Sequence, residues 1–158
     1  MRRIVITVLA TSLALTLTSC GAGFNASTRE VKQRTDGAEG AITTNGNSIK
    51  ILNLLVVATA GGTGVLIGTL VNTLPTEDTL LGIAVNGTVM KLTGLKALKQ
   101  NAPIRFEGDT ANAKAILPAL NALPGTHLQA TLFFAHAGKI NFLVLVRDQS
   151  DTYAGITP

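Results

Sequence analysis

The chain has 158 residues, with 13 Lys and Arg against 9 Asp and Glu, one cysteine and no tryptophan. This length predicts one domain, and a single cysteine excludes a disulfide within the chain, so stability must come from an ordinary packed core. The absence of a Lys/Arg cluster and of an aromatic platform argues against a nucleic-acid partner.

The first 19 residues follow the plan of a secretory signal. Arg2 and Arg3 give a positive start, residues 4–17 are apolar or carry hydroxyls, and small residues follow. This run of fourteen residues is short for a helix that crosses a bilayer, which needs about 20. We therefore predict a cleaved signal peptide over residues 1–19, whose removal leaves 11 basic against 9 acidic residues, a net charge of +2.

The residues at 17–20, LTSC, resemble the lipobox of bacterial lipoproteins. The resemblance implies cleavage between Ser19 and Cys20 and a diacylated thiol on Cys20, which becomes the first residue of the mature chain. Two acyl chains hold a protein stably on a membrane, whereas one holds it only marginally. We predict a lipid-anchored protein on the extracytoplasmic side of the cell membrane, with a stray thiol behind an ordinary signal as the alternative.

Residues 20–47 are predicted to be the lipidated cysteine and a flexible tether. The segment is rich in Gly, Ser, Thr, Asn and charge and has almost no large apolar side chain, so it cannot bury enough surface to offset the entropy of ordering. The 27 residues after Cys20 would span roughly 30 Å as a flexible coil. The domain would therefore work close to the membrane surface.

From residue 48 the composition becomes that of β-strands. The runs SIKILNLLVVATA (48–60) and GTGVLIGTLVN (62–72) are rich in β-branched residues and leucine and are separated by a Gly turn. Residues 80–92 are predicted to form another strand pair that turns at Asn86-Gly87, the strongest hairpin signal in the chain.

Shorter strands are predicted at 103–108 and 113–118, with a helical turn at 95–100. Together with the last hairpin these segments give about seven short strands with frequent turns, a pattern typical of an all-β fold. We predict an antiparallel β-sandwich over residues 48–150, followed by a C-terminal tail, 151–158.

The last predicted hairpin, HLQATLFFAHAGKINFLVLVRD (127–148), has two apolar runs around a Gly. A three-residue loop at 136–138 would place eight apolar residues on one face. It pairs Phe134 with Ile140, Leu132 with Phe142, Ala130 with Val144 and Leu128 with Val146. A two-residue turn would mix the faces, because a slip of one residue moves every side chain to the other side of the sheet. The three-residue loop is therefore the prediction.

The sequence offers no motif for catalysis. GGTGVLIG (61–68) has the glycines of a phosphate loop, but no Lys-Ser/Thr follows and the next element is a predicted strand, so a hairpin turn is favoured. His127 and His136 would lie about 30 Å apart along one extended strand. Met90 is the only thioether after signal removal, whereas a Cu(I) site needs several soft ligands together. We predict neither an enzyme nor a bound metal or cofactor.

The outward face of the last hairpin carries three large apolar side chains, Phe133, Leu143 and Leu145. Such a group can dock a partner, or it can be covered by another part of the same chain. Cover by the C-terminal tail or the tether is favoured over docking, and docking is kept as the alternative.

Residues 68–85 and 124–146 resemble the PCuAC-type periplasmic copper chaperones and, with CGAG after the lipobox, their actinobacterial LpqE-like lipoprotein relatives. The matching features are a strand that ends at Asn72, an Asp-x-Leu-x-x-Ile segment at 78–83 and a Phe-x-x-x-Gly turn at 134–138. The resemblance implies a cupredoxin-like or Ig-like Greek-key sandwich. It also implies carriage of Cu(I) to cytochrome oxidase through paired His and Met. Met90 has no adjacent His and no His-x-Met follows, so no copper ligand is transferred and copper is not expected.

The leading functional prediction is a non-catalytic, membrane-anchored accessory module. It would bind a membrane-protein partner, with the cytochrome oxidase complexes of the respiratory chain as the expected partner. The alternatives are a copper chaperone whose atypical site is completed by a partner or a second copy, and a structural or small-ligand-carrying envelope lipoprotein.

Overall fold

The computed structural model describes residues 36–158, which form a β-sandwich of eleven strands. In chain order the strands are β1 (Ala38–Ile42), β2 (Ile49–Ala58), β3 (Gly64–Asn72), β4 (Asp78–Val85), β5 (Thr88–Val89), β6 (Lys91–Gly94), β7 (Ala97–Leu98), β8 (Ile104–Arg105), β9 (Ala113–Leu117), β10 (His127–Phe134) and β11 (Gly138–Asp148). A short 3₁₀ helix, Asp151–Tyr153, follows β11. The prediction of an all-β sandwich is confirmed.

The strands are hydrogen-bonded in the order β5-β4-β10-β11-β2-β3-β9-β6. Every strand pair is antiparallel except β11 with β2, where Val146, Arg147 and Asp148 run parallel to the end of β2. β11 therefore joins the two sheets, since its earlier residues pair with β10 and its last three pair with β2. The one parallel pair is a departure from the wholly antiparallel arrangement that was predicted.

The main core lies between the two sheets and is almost entirely aliphatic. Alternation along β10 shows the principle, because Leu128, Ala130, Leu132 and Phe134 are buried while their neighbours are less so. The largest fully buried side chains of this core are Ile49, Ile51, Leu54, Leu66, Leu70, Leu80, Ile83, Leu98, Ile104 and Leu132. Each such side chain contributes about 1.5–3 kcal/mol relative to an exposed position.

The predicted turn at Asn86-Gly87 is confirmed. Val85 pairs with Thr88 across it, and Asn86 and Gly87 have φ values of 45° and 79°. Two central residues with positive φ define a type I′ turn, whose twist matches the flanking strands. The glycine-rich segment before β3 is also a hairpin turn, as predicted, and is followed by a strand.

The predicted register of the last hairpin is wrong by two residues. Phe134 lies opposite Gly138 and Leu132 lies opposite Ile140, with a loop of Ala135, His136 and Ala137 between the strands. Because the shift is even, the side chains keep the predicted faces. Gly138, with φ 80°, begins β11 instead of ending the loop.

The shifted loop has a tertiary cause. The backbone N–H of Ala135 donates to the carbonyl of Thr79, and the N–H groups of His136 and Ala137 donate to the carboxylate of Asp78. Acceptors on β4 thus satisfy the backbone N–H groups of the loop. A carboxylate that lies 58 residues earlier in the chain is invisible to hairpin rules, which consider only the loop itself.

The folded domain begins before residue 48, so the predicted tether boundary is wrong. β1 lies within the predicted tether and pairs with β2, where Ile42 is opposite Ile49. A Cβ at Gly40 would lie 2.6 Å from the Phe142 ring, so the absence of a side chain lets that ring pack on the strand. The strand pairs with β2 and packs against this ring, although its residues have little strand propensity of their own.

The predictions for residues 95–100 and 151–158 are also corrected. The segment 95–100, predicted as a helical turn, contains β7, in which Leu98 pairs with Asp78 of β4. The predicted C-terminal tail is packed on the domain, because Tyr153 and Ile156 lie against a second apolar cluster formed by Leu55, Val57 and Ile67.

Candidate functional site

Ser19 and Cys20, the residues of the predicted signal cleavage and lipidation, lie outside the described residues. No helix in the stretch 36–158 has both the length and the apolar character required to cross a membrane. The lipid anchor and the extracytoplasmic location remain predictions from the sequence.

The predicted apolar patch lies on the outward side of β10 and β11. Phe133 is 38% exposed and Leu143 is 69% exposed, whereas Leu145 is half-buried. Their cross-strand partners are polar or charged: Lys139 lies opposite Phe133, Gln129 opposite Leu143 and His127 opposite Leu145.

The structure divides this patch into two parts. Thr131 lies between Phe133 and Gln129 on the same face of β10, and its hydroxyl donates to Oδ1 of Asn141 at 2.8 Å. Phe133 and Gln129, the partner of Leu143, are four residues apart, roughly 13 Å along the strand. Phe133 therefore does not form one continuous apolar surface with Leu143 and Leu145.

Phe133 instead joins apolar residues of β4 and β5. It lies opposite Gly82, and a groove of about 360 Å³ is lined there by Leu81, Gly82, Ile83, Val89 and Phe133. Leu81 and Val89 are 61% and 70% exposed. No atom lies within 4 Å of the position that a Cβ of Gly82 would occupy, so the glycine leaves the floor of the groove open. We call Leu81, Val89, Phe133 and Leu143 the outer-face residues.

Sequence reasoning missed Leu81 and Val89. A register shift in the β4–β10 pairing, next to Phe133, leaves Leu81 between the residues that pair with Phe133 and Phe134. The adjacent leucines at 80 and 81 were an available signal, since two successive residues of a strand point to opposite faces and one must point outward. The C-terminal tail, one of the two segments predicted to cover the patch, packs on Leu55, Val57 and Ile67 instead. Most of the other segment, the tether, lies outside the described residues.

Asp78 forms the principal buried polar contact beside this face. Its Oδ1 accepts from the N–H groups of Thr79 and His136 at 2.6 and 3.0 Å, and its Oδ2 accepts from that of Ala137 at 2.9 Å. Burial raises the pKa of the Asp78 carboxyl, but these backbone bonds and the imidazole of His136, whose Nδ1 is 3.4 Å from Oδ1, lower that pKa below its ordinary value. The ionised carboxylate of Asp78 thus stabilises the turn between β10 and β11.

Asn72 stabilises the neighbouring loop between β3 and β4. Its Nδ2 donates to the carbonyls of Thr76 and Leu98 at 2.7 and 3.0 Å, while its Oδ1 accepts from the N–H of Leu74 at 3.0 Å. Asn72 and Asp78, both in the segments that carry the family resemblance, therefore have structural roles that their bonding fully accounts for.

The candidate soft ligands lie apart. His127 begins β10 and His136 lies in the turn beyond its other end, while Met90 is 3% exposed within the main core. Between residues 36 and 158 no group of three or more His, Cys, Asp or Glu side chains is placed to hold a metal ion. The described residues do not fit Cu(I), which needs soft donors converging on one point.

No protein-family model and no curated protein sequence matches the chain. The chain is, however, similar in fold to several solved structures. The apo PCuAC domain from PmoF1 superposes with a TM-score of 0.57 at 20% identity, covering 70% of this chain and 99% of that domain. The fold is that of the PCuAC domain. The copper-bound PCuAC domain from PmoF2 gives 0.56 at 18% identity, covering 70% and 98%, and its apo form gives 0.52 at 17% identity, covering 73% and 96%.

The expected relation to PCuAC proteins is thus confirmed at the level of the fold. The narrower resemblance to LpqE-like lipoproteins stays a prediction. Sequence identities of 17–20% to the PCuAC domains show a shared fold and nothing narrower.

Proposed function

We propose that this chain is a non-catalytic, membrane-anchored binding module with the PCuAC fold, which acts on the outer face of the plasma membrane. The observation that carries the proposal is the apolar groove at Leu81, Val89 and Phe133, whose side chains are exposed together, with Leu143 exposed on the same side of the sheet. Monomeric proteins rarely expose large apolar groups together unless they bind something. The lipobox sequence at 17–20 supports the location.

The proposed partner is a membrane protein of the cytochrome oxidase machinery. A protein anchored through Cys20 has the described domain beginning 16 residues later, at Asp36. As the flexible tether that the sequence predicts, 16 residues would span roughly 20–25 Å, which would keep the domain within reach of proteins in the same membrane. The resemblance to copper chaperones supports the choice of respiratory complexes.

Photo-crosslinking tests this proposal. The full chain would carry a photoreactive amino acid at Leu143 or at Leu81 and be irradiated in its native membrane. We expect a discrete adduct with one membrane protein from both positions. Leu123, which is 76% exposed in the segment before β10, is the matched control position and should give none. Equal labelling from Leu123, or no adduct at all, would refute the assignment of this face.

The anchor is tested separately. Mass spectrometry of the native protein should find Cys20 as an acylated first residue. A Cys20→Ala chain should be released from membranes and lose the crosslink. Retention of residues 1–19, or an unmodified thiol, contradicts the anchored form of the proposal but leaves the crosslinking result to be judged by itself.

Copper carriage is the second candidate function, and the shared fold with a copper-bound PCuAC domain favours it. Since the soft ligands of the described residues lie apart, a partner or a second copy would have to complete the site. A Cu(I) titration against a competing chelator checks this. Tight stoichiometric binding that Met90→Leu abolishes would place this candidate first, whereas an absence of tight binding by the chain alone would exclude a site formed by one or two copies of it.

A further inference from the structure

Two lysines lie at opposite sides of the apolar groove. The first, Lys139 of β11, is opposite Phe133, and Phe133 is opposite Gly82 of β4. Residues directly opposite each other in neighbouring strands share one face of the sheet. Lys139 therefore lies beside Phe133 on the outward face, at the β11 side of the groove.

The second lysine, Lys91, lies at the other side of the groove. The N–H of Met90 donates to the carbonyl of Ile83 at 2.8 Å, which places the next residue, Lys91, beside Gly82 at the edge of β4. Val89 and Lys91 are exposed while Met90 between them is buried, so Val89 and Lys91 point to the same side. The groove thus has an apolar floor between two cationic groups.

Neither of these lysines has a partner within the domain. Both side chains are exposed, and nothing in the stretch 36–158 forms an ion pair or a side-chain hydrogen bond with either of them. The five residues that line the groove include no acidic side chain. The two ammonium groups are therefore available to carboxylates of another molecule.

The separation of the lysines determines the spacing of those carboxylates. Their backbones are three strand spacings apart, from Lys91 across β4 and β10 to Lys139 on β11, which is roughly 14 Å. An extended chain covers this distance in about four residues, and alternate residues point to the same side. A segment with acidic residues at its first and fifth positions and an apolar residue at its third would present all three side chains to this face.

The floor of the groove is suited to the apolar residue of such a segment. The space above Gly82 is open, and the exposed side chains of Leu81, Val89 and Phe133 surround it. Protein interfaces are typically anchored by a large apolar side chain in such a site, while the charges around it provide specificity. A concave floor favours a protein side chain over a bilayer, which takes up apolar groups that protrude.

We propose that the groove and its two lysines bind an extended acidic segment of the partner protein. An apolar side chain of that segment lies over Gly82, and its carboxylates pair with Lys91 and Lys139. This inference rests on the proposed function and specifies the chemistry that the partner presents.

Three synthetic peptides test this inference. Acetyl-Glu-Thr-Phe-Thr-Glu-amide carries the charges and the anchor, a second peptide has Gln at both ends, and a third has Ala at the centre. The chain without residues 1–19 serves for NMR titration, because residues 35–158 form a compact unit by themselves. We expect the first peptide to shift the backbone amide signals of Leu81, Val89 and Phe133 to saturation. A Kd of about 1 mM is reasonable for a short peptide that must be ordered on binding.

The other two peptides separate the two kinds of contact. The Gln peptide should bind about fivefold more weakly, because two exposed ion pairs are lost. The Ala peptide should bind about tenfold more weakly or worse, because the apolar burial is lost. The difference between the Glu and Gln peptides should shrink at 1 M NaCl, where the Debye length is about 3 Å.

Substitutions in the chain complete the test. Lys91→Glu combined with Lys139→Glu should abolish binding of the acidic peptide and create binding of the same peptide with Lys at both ends. Lys50→Glu combined with Lys99→Glu is the matched control, because these lysines are also exposed and do not line the groove. Gly82→Leu should fill the groove and abolish binding of every peptide. The charge reversal keeps the test valid if this last variant does not fold.

Several results would overturn the inference. They are an absence of saturable shifts up to about 20 mM acidic peptide, equal affinity for the Gln peptide at low salt, and unchanged binding by the Lys91→Glu, Lys139→Glu chain. Sedimentation with phosphatidylglycerol vesicles that depends on these two lysines, in the absence of peptide binding, would assign the face to anionic lipid instead.

Failure of this inference is distinguishable from failure of the proposed function. A crosslink from Leu81 to one membrane protein that persists unchanged in the Lys91→Glu, Lys139→Glu chain would refute the role of the lysines and leave the proposed function in place. An absence of any crosslink in the parent chain would refute the proposed function itself.

Discussion

Two apolar surfaces on the outside of the sandwich differ in what covers them. On β2 and β3, Leu55, Val57 and Ile67 point away from the main core and are fully buried, because Tyr153 and Ile156 of the C-terminal segment pack on them. On β4, β5, β10 and β11, the outer-face residues stay exposed. The comparison separates an apolar surface that the chain uses for its own stability from one that is available for another molecule.

The covered surface is held by more than apolar contact. Gln149 Nε2 donates to the carbonyl of Ile156 at 2.6 Å, and Lys114 Nζ donates to that of Thr157 at 2.9 Å. Arg147 lies 5.5 Å from the centre of the Tyr153 ring and 2.9 Å from a carboxylate oxygen of Asp36. These bonds fix the C-terminal segment in one position. The exposed surface has no such segment above it in the part of the chain from residue 36 onward.

The comparison predicts that the same kind of substitution costs much more stability on the covered surface than on the exposed one. Ile67→Ala should lower the free energy of unfolding by about 3 kcal/mol, because it removes buried methylenes and leaves a cavity. Leu143→Ala should change it by less than about 0.5 kcal/mol, because the side chain is already exposed. Urea unfolding of both variants checks this. Similar losses for the two would mean that the exposed surface is part of the core.

Removal of the covering segment tests the comparison directly. A chain that ends at Gln149 should lose about 2 kcal/mol of stability, since it gives up the contacts of two partly buried side chains, Tyr153 and Ile156. It should also bind more of the dye ANS, because Leu55, Val57 and Ile67 become accessible. Thermal unfolding and ANS fluorescence measure the two effects. A truncated chain with unchanged stability and dye binding would show that the segment does not cover this surface.

Beside the exposed surface, hydrogen bonds to the Asp78 carboxylate hold the turn between β10 and β11. Asp78→Asn should cost about 1.5 kcal/mol at pH 7, because bonds from N–H groups to a charged acceptor become bonds to a neutral one. The pKa of Asp78 is lowered in the folded chain, so its contribution is complete above the unfolded pKa of about 3.9 and is lost as the pH falls through the lower folded pKa. The difference in unfolding free energy between the two chains should therefore narrow between pH 5 and pH 2. A constant difference would exclude ionisation of Asp78 as its cause.

The sequence predicts a feature of this fold correctly when the interactions that determine it lie close together along the chain. The alternation in β10 and β11 and the Asn86-Gly87 turn are local, and both were predicted correctly. The hairpin register was wrong because Asp78, on another strand, takes the N–H groups of the loop. β1 was missed because its residues have little strand propensity and are held by contacts outside the segment, which are the pairing with β2 and the Phe142 ring against Gly40, about 100 positions away.

The candidate site follows the same rule. Phe133 and Leu143 were identified from alternation within one hairpin, but Leu81 and Val89 join Phe133 only through the pairing of β4 with β10 and β5. The surface depression beside Asn86 likewise combines the β4–β5 turn with residues 119–122, which lie more than 30 residues later in the chain. Surfaces assembled from several strands need the strand order, and the sequence alone did not provide it.

The smallest expected effect concerns the ion pair at the edge of the covered surface. Asp36 and Arg147 are both partly exposed, at 48% and 35% of their side chains, and an ion pair of this kind contributes about 0.2–1 kcal/mol. Asp36→Asn should therefore lower stability by about 0.5 kcal/mol at low salt and by less at 1 M NaCl, where the Debye length falls to about 3 Å. Arg147 would still lie over the Tyr153 ring in this variant, so the C-terminal segment should stay in place and ANS binding should not rise. A rise in ANS binding comparable to that of the truncated chain would show that Asp36, and not the apolar contact, holds the cover.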